Sequence, residues 1–353
     1  MKLITTVSVL IALLLTACTP PPTHLPQPTA TVPQPTATAP APTPTAAPLP
    51  LSAAGPYFPG KRTYTLEDAS YKTTITVWYP AIKPEGYAGT VARNADSDPS
   101  GAPYPLLLSS SQSGNTFAPH LASYGFVIAG VENQGPSRQW GQWLIDYPIE
   151  ILYVLDWIGS KPLEGLENMV DADNAGALGY SFDGYNALAL SGARADPAYY
   201  LDQCAQAHTM DPAPEPWWID YICTPVDHWE DFTAHAGEAL TVSDDGLWQP
   251  LTDERIRAVM PMAPEGAWLF GERGLAAVDR PTLIIGATED KDCPYDWEAV
   301  YIFEHLGTPD RVMISFIGQK HLMVFNFEPI AQMSHFAVAF FGYHLQGHAD
   351  YAK

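Results

Sequence analysis

From residue 105 onward, short continuously apolar runs alternate with segments of helical spacing, and no other feature of the chain restricts its fold as strongly. Pro105–Leu108, Gly125–Val131, Ala175–Leu178, Ala258–Met262, Thr282–Ile285 and Val312–Ile317 are such runs. Unbroken hydrophobicity over so few residues suits strands buried on both faces. Leu144–Ile158 and Ile330–Tyr343 carry apolar residues at helical spacing. Strands alternating with helices predict an α/β fold, a mainly parallel sheet flanked by helices on both faces. Thr73–Tyr79 (TTITVWY) alternates and is β-branched, as a half-buried strand should be. The interval from about residue 195 to 253 breaks the pattern. It is rich in Pro, Trp, Asp and His, and predicts a loop-rich, cap-like insertion over the sheet.

An apolar content of 46% and an aromatic content of 12% can fill a core of this size, which excludes wholesale disorder. Seventeen basic against 39 acidic residues give a net charge of −22. Binding a phosphate backbone needs the opposite sign, so nucleic acid is not an expected partner. The charge by itself names no substrate.

The chain begins MKLITTVSVLIALLLTAC. Lys2 followed by the apolar run Leu3–Leu15 is too short for a membrane span and suits a secretory signal over residues 1–17. Leu15-Thr16-Ala17-Cys18 resembles the lipobox of bacterial lipoproteins. That resemblance implies cleavage before Cys18 and a diacylglycerol on its sulfur, so that the membrane would be held through an N-terminal lipid anchor. Thr19–Pro50 contains 12 prolines, eight threonines and no Asp, Glu, Lys or Arg. Such a segment is expected to be extended and disordered, a stalk over residues 18–55 displaying a folded domain, residues 56–353, at the cell surface or in the periplasm. Disulfides are permitted in an exported chain. Cys204 and Cys223, 19 residues apart in one loop-rich stretch, are the expected pair, leaving Cys293 free.

Gly179-Tyr180-Ser181-Phe182-Asp183-Gly184 follows a predicted strand and opens an Ala/Leu-rich helix. A sharp strand-to-helix turn exposes a serine hydroxyl, and small residues around it let strand and helix pack closely. A serine capping the helix is the alternative reading. Serine needs a base to act as a nucleophile, and the base needs a carboxylate to orient it. The run ending at Gly286 leads into Ala-Thr-Glu289-Asp290-Lys-Asp292-Cys293-Pro294, where three carboxylates compete. The next run leads into Gly318-Gln-Lys-His321, which places a histidine just past a strand; the nine other histidines lack this placement. The oxyanion donors are expected to be the N–H of Phe182 and the loop Leu108-Ser109-Ser110-Ser111-Gln112-Ser113-Gly114, at Ser111 and Gln112.

The ordered set Ser181, Asp290, His321 resembles the α/β-hydrolase superfamily, within it the bacterial predicted dienelactone hydrolase-like and platelet-activating-factor acetylhydrolase-like serine esterases. The likeness covers most of residues 60–345 and also rests on Val77-Trp78-Tyr79-Pro80, Tyr124-Gly125-Phe126-Val127, Ser191-Gly-Ala-Arg194 and Ala263-Pro264. It favours Asp290 among the three carboxylates, because Pro294 completes the family's D-x-x-x-P loop. It implies an α/β-hydrolase fold and hydrolysis of carboxylic esters (lipid, short-chain or polymeric) with no metal or organic cofactor. Two positions depart from the pattern: Asp183 replaces the second small residue of G-x-S-x-G, and Ser110-Ser111-Gln112 stands where relatives show S-H-G. Those departures leave a catalytically lapsed binding lipoprotein as the alternative. The aromatic side chains Trp217, Trp218, Tyr221, Trp229, Phe232 and Trp248, followed by Trp268 and Phe270, could line a pocket or pack the insertion. The group Asp211, Asp227, His228, Glu230 and His235 lacks metal-site spacing.

Overall fold

A computed structural model describes residues 49–352 apart from 70, 133–140 and 212. The signal segment, Cys18 and the stalk through residue 48 lie outside the described residues. Among the described residues nine strands form one sheet: β1 (Phe58–Glu67), β2 (Lys72–Ala81), β3 (Ala92–Arg93), β4 (Tyr104–Ser110), β5 (Val127–Glu132), β6 (Val170–Tyr180), β7 (Ile256–Met262), β8 (Thr282–Ala287) and β9 (Arg311–Phe316). Their order is β3-β1-β2-β5-β4-β6-β7-β8-β9. β2 runs antiparallel to both β1 and β5, and from β5 to β9 every neighbouring pair is parallel. β4 and β8 are buried along their whole length, which explains why they read as unbroken apolar runs.

Among the described residues ten α-helices connect or cover these strands: α1 (Ser111–Ser123), α2 (Trp143–Ser160), α3 (Phe182–Leu190), α4 (Pro197–Gln206), α5 (Pro216–Ile222), α6 (Trp229–Ala236), α7 (Glu238–Thr241), α8 (Ala267–Leu275), α9 (Tyr301–His305) and α10 (Phe327–Gln346). The strand period of two sorts side chains between the faces. Leu106 and Leu108 of β4, with Val127 and Ala129 of β5, pack with Ile151, Val154 and Leu155 of α2. Leu107 and Ile128 point the other way, toward Phe117 and Leu121 of α1 and Val338 and Phe341 of α10. The architecture is therefore an α/β fold whose mostly parallel sheet is covered on both faces.

Two expectations need correction. The stalk was expected to reach residue 55, but residues 49–55 pack on the folded unit. The Leu51 N–H donates to His335 Nδ1 at 3.1 Å, and the Gly55 N–H donates to Ser123 Oγ at 2.9 Å. Composition alone cannot see these partners, because they come from α10 and α1. The insertion, expected to be loop-rich, consists largely of α4–α7 and short 3₁₀ turns. Helices of four to ten residues are too short to show an apolar period, although Pro197 and Pro216 stand at their starts. Cys204 of α4 and Cys223, just after α5, are bonded to each other, and Cys293 is free and buried. Trp218, Phe232, Trp248, Trp268 and Phe270 are buried together with Tyr185 and Leu188 of α3, so these aromatics pack the insertion onto the sheet domain. Among the described residues no helix is long and apolar enough to cross a membrane.

Candidate active site

After β4 the chain crosses to β5 on one side and later returns to β6 on the other, so the carboxyl ends of β4 and β6 flank a topological switch point. Crevices at such points are where parallel sheets hold their ligands. Ser181 follows β6 there, with φ +60° and ψ −125°. Positive φ in a residue with a side chain is costly and persists only where surroundings enforce it. Here the Ser181 N–H donates to Met262 O at 2.8 Å, and the Ser181 carbonyl accepts the N–H of Gly184 at 2.7 Å. Small neighbours are obligatory: a Cβ on Gly179 would lie 2.0 Å from the Asp183 carbonyl oxygen, and one on Gly184 would lie 2.8 Å from Met262 O. The Ser181 side chain makes no capping bond to α3, so the helix-cap reading does not hold.

Ser181 Oγ instead lies 2.8 Å from His321 Nε2, and His321 Nδ1 lies 2.8 Å from Asp290 Oδ2. The other Asp290 oxygen accepts the N–H groups of Asp292 and Cys293, each at 2.9 Å. Glu289 and Asp292 are exposed, and neither is bonded to the imidazole. The acid and base loops are tied to each other, Gly318 N–H donating to Thr288 Oγ1 at 2.8 Å and Glu289 N–H to Gln319 O at 2.9 Å. Burial opposes protonation of His321, but the hydrogen bond and charge of Asp290, with the charges of Asp292 and Glu265, outweigh it and hold the imidazole pKa above its ordinary value.

On the β4 side, Ser110 caps α1, its Oγ accepting the N–H of Gln112 at 3.2 Å and that of Ser113 at 3.4 Å. The expected donor at Gln112 is thus already engaged through its backbone. Phe182, the first residue of α3, has an N–H group with no internal partner among the described residues, as the opening turn of a helix leaves it, whereas Ser111, also expected as a donor, directly continues the β4 ladder, whose last pair is Ser110 with Val131 of β5. The Phe182 N–H is the donor available to a developing oxyanion.

Sequence reasoning missed Glu265, which lies in the turn after β7, between Ala263 at φ +41° and Gly266 at φ +115°. It is 5% exposed, accepting the Tyr221 O–H at 3.1 Å and the Cys293 S–H at 3.7 Å. Burial, opposed by those bonds and by the charge of His321, pushes its carboxyl up to about 7. A lone carboxylate after Ala263-Pro264 carries no spacing signal; only its place past a strand end could have raised it. Beside the acid and base loops runs an open groove of about 590 Å³, lined by Lys291, Asp292, Lys320, His321 and Leu322 among others.

Among the described residues, one grouping of ligand-type side chains, Asp290, Asp292 and His321, is tight enough for a metal ion. A metal there would have to break the His321–Asp290 bond. His235 of the insertion pairs with Asp146 at 2.7 Å, and His208 lies 3.7 Å from Asp220, so neither joins the grouping at Ser181. No family model and no curated protein sequence matches the chain.

Proposed function

We propose that the chain is a serine hydrolase of carboxylic esters with an α/β-hydrolase fold, exported and held at a membrane surface through a lipid on Cys18. The observation that carries this reading is the continuous pair of 2.8 Å contacts from Ser181 Oγ through His321 to Asp290. Three residues 140 and 31 positions apart in sequence, His321 from Ser181 and from Asp290, meet in the order that nucleophilic catalysis requires. His321 Nε2 takes the Ser181 proton as Oγ attacks the ester carbonyl. The Phe182 N–H then bears the oxyanion, a role worth roughly 10²–10³ in turnover per donor. His321 returns the proton to the departing alcohol, and a water activated by the same ring releases the acid. Asp290 fixes the tautomer, with Nδ1–H directed at Oδ2, and stabilises the imidazolium.

The fold and the orphan Phe182 N–H at the end of β6 support the same reading. The lapsed-lipoprotein alternative drew on Asp183 and on Ser110-Ser111-Gln112; both are bonded into the site (below), which favours the enzyme. A panel of p-nitrophenyl esters graded by acyl length, assayed with the wild type, Ser181→Ala and His321→Ala, tests it. Saturable hydrolysis that falls by at least about 10³-fold in both variants is the expected result. Equal rates in wild type and Ser181→Ala would overturn it.

A further inference from the structure

The two places where the chain departs from the hydrolase pattern touch each other. Asp183, in the first turn of α3, is buried, and its Oδ2 accepts hydroxyl protons from Ser110 and from Ser113, the latter at 2.6 Å. Its Oδ1 accepts from Asn186 Nδ2 at 3.3 Å. Each serine hydroxyl that donates to Asp183 also accepts from backbone. Ser110 Oγ takes the N–H groups of Gln112 and Ser113, and Ser113 Oγ takes the N–H of Tyr180 at 3.1 Å. One carboxylate oxygen therefore joins the end of β6, the first turn of α3 and the first turn of α1.

We propose that Asp183 is a positioning residue that fixes the first turn of α1 against the nucleophile turn, and that Ser110, Ser113 and Asp183 form one device that holds Ser181 and the Phe182 N–H in place for substrate. This rests on the serine hydrolase reading above. Three N–H groups around this junction, at Tyr180, Gln112 and Ser113, are taken up by the two hydroxyls. Glycine at position 183 would leave both hydroxyls without their buried acceptor, and each would then compete for backbone differently. The effect falls on the transition state, because the ground-state ester makes weaker demands on the oxyanion donors than the tetrahedral intermediate does.

The test compares Asp183→Ala, Asp183→Gly and Asp183→Asn with the wild type on the best ester of the panel. The Ala and Gly variants are expected to lose roughly 10²-fold in kcat with KM within about threefold. A fluorophosphonate should still label one site per chain in both. Asparagine, whose carbonyl oxygen can accept both hydroxyls, is expected to restore activity to within about fivefold. Should the Ala and Gly variants not fold, as judged by circular dichroism and a thermal melt, Ser110→Ala and Ser113→Ala carry the test, with the same loss in kcat expected. Folded Ala and Gly variants with wild-type kcat would overturn the proposal, as would an Asn variant as impaired as Ala. A wild-type chain that neither labels nor turns over would overturn the hydrolase reading and this inference with it; labelling with unchanged variants overturns this inference alone.

Discussion

Replacing Glu265 by Gln should remove a defined part of the pH dependence of stability. The carboxyl is 5% exposed, and its pKa lies at about 7 against an ordinary 4.5. The folded state therefore binds a proton that the unfolded chain releases earlier. The stabilisation is fully present below pH 4.5 and is lost as pH rises through about 7. At about 1.4 kcal/mol per pH unit, the span corresponds to about 3 kcal/mol. Glutamine is uncharged at every pH and can keep the Tyr221 contact, so the variant lacks this slope. Tyr221, Cys293, His321 and Asp290 face the carboxyl, and Glu298 feels its charge; all are common to both proteins. Urea unfolding followed by tryptophan fluorescence, from about pH 4.5 to about pH 8, measures the difference. Wild-type stability relative to Glu265→Gln should fall by about 3 kcal/mol across that range. A difference constant to within about 0.5 kcal/mol would refute the claim that burial raises the Glu265 carboxyl.

Other substitutions probe the remaining parts. Asp290→Asn should lower kcat by about 10⁴-fold, as loss of the orienting carboxylate does in Ser-His-Asp sites. Because the Asp290 charge helps hold the His321 pKa up, the ascending limb of kcat/KM against pH should also move to lower pH in that variant. An unmoved limb would contradict the assignment. Gly179→Ala places a Cβ 2.0 Å from a carbonyl oxygen, so a loss of about 1–3 kcal/mol in unfolding free energy and of most activity is expected. A fully stable, fully active Ala variant would mean the turn is looser than described. Replacing Cys204 and Cys223 together by Ser opens a cross-link spanning 19 positions, which should cost about 3 kcal/mol in unfolding experiments.

Local demands made much of the fold legible. The parallel strands announced themselves because burial on both faces leaves only apolar residues, and the turn at Ser181 did so because Gly179 and Gly184 answer steric needs within five residues of each other. β1 (Phe58–Glu67) escaped notice: it begins FPGKR and is only half-buried, so its pairing with β2 supplies the order that its sequence conceals. Asp290 could be preferred over Glu289 and Asp292 only through a resemblance, since what separates them is contact with a side chain 31 positions away. The Asp183–Ser113 bond spans 70 positions, which is why Asp183 looked like a flaw in a motif rather than a partner of α1. Glu265 was hidden for the same reason.

The central claim is that the Ser181 hydroxyl is a nucleophile made reactive by His321. Incubating the folded protein with a fluorophosphonate and locating the adduct by peptide mass spectrometry tests it most directly. The account predicts one phosphonyl group per chain, on Ser181, formed much more slowly in His321→Ala and not at all in Ser181→Ala. A folded wild-type chain that stays unmodified, or that carries the adduct on another residue, would contradict it.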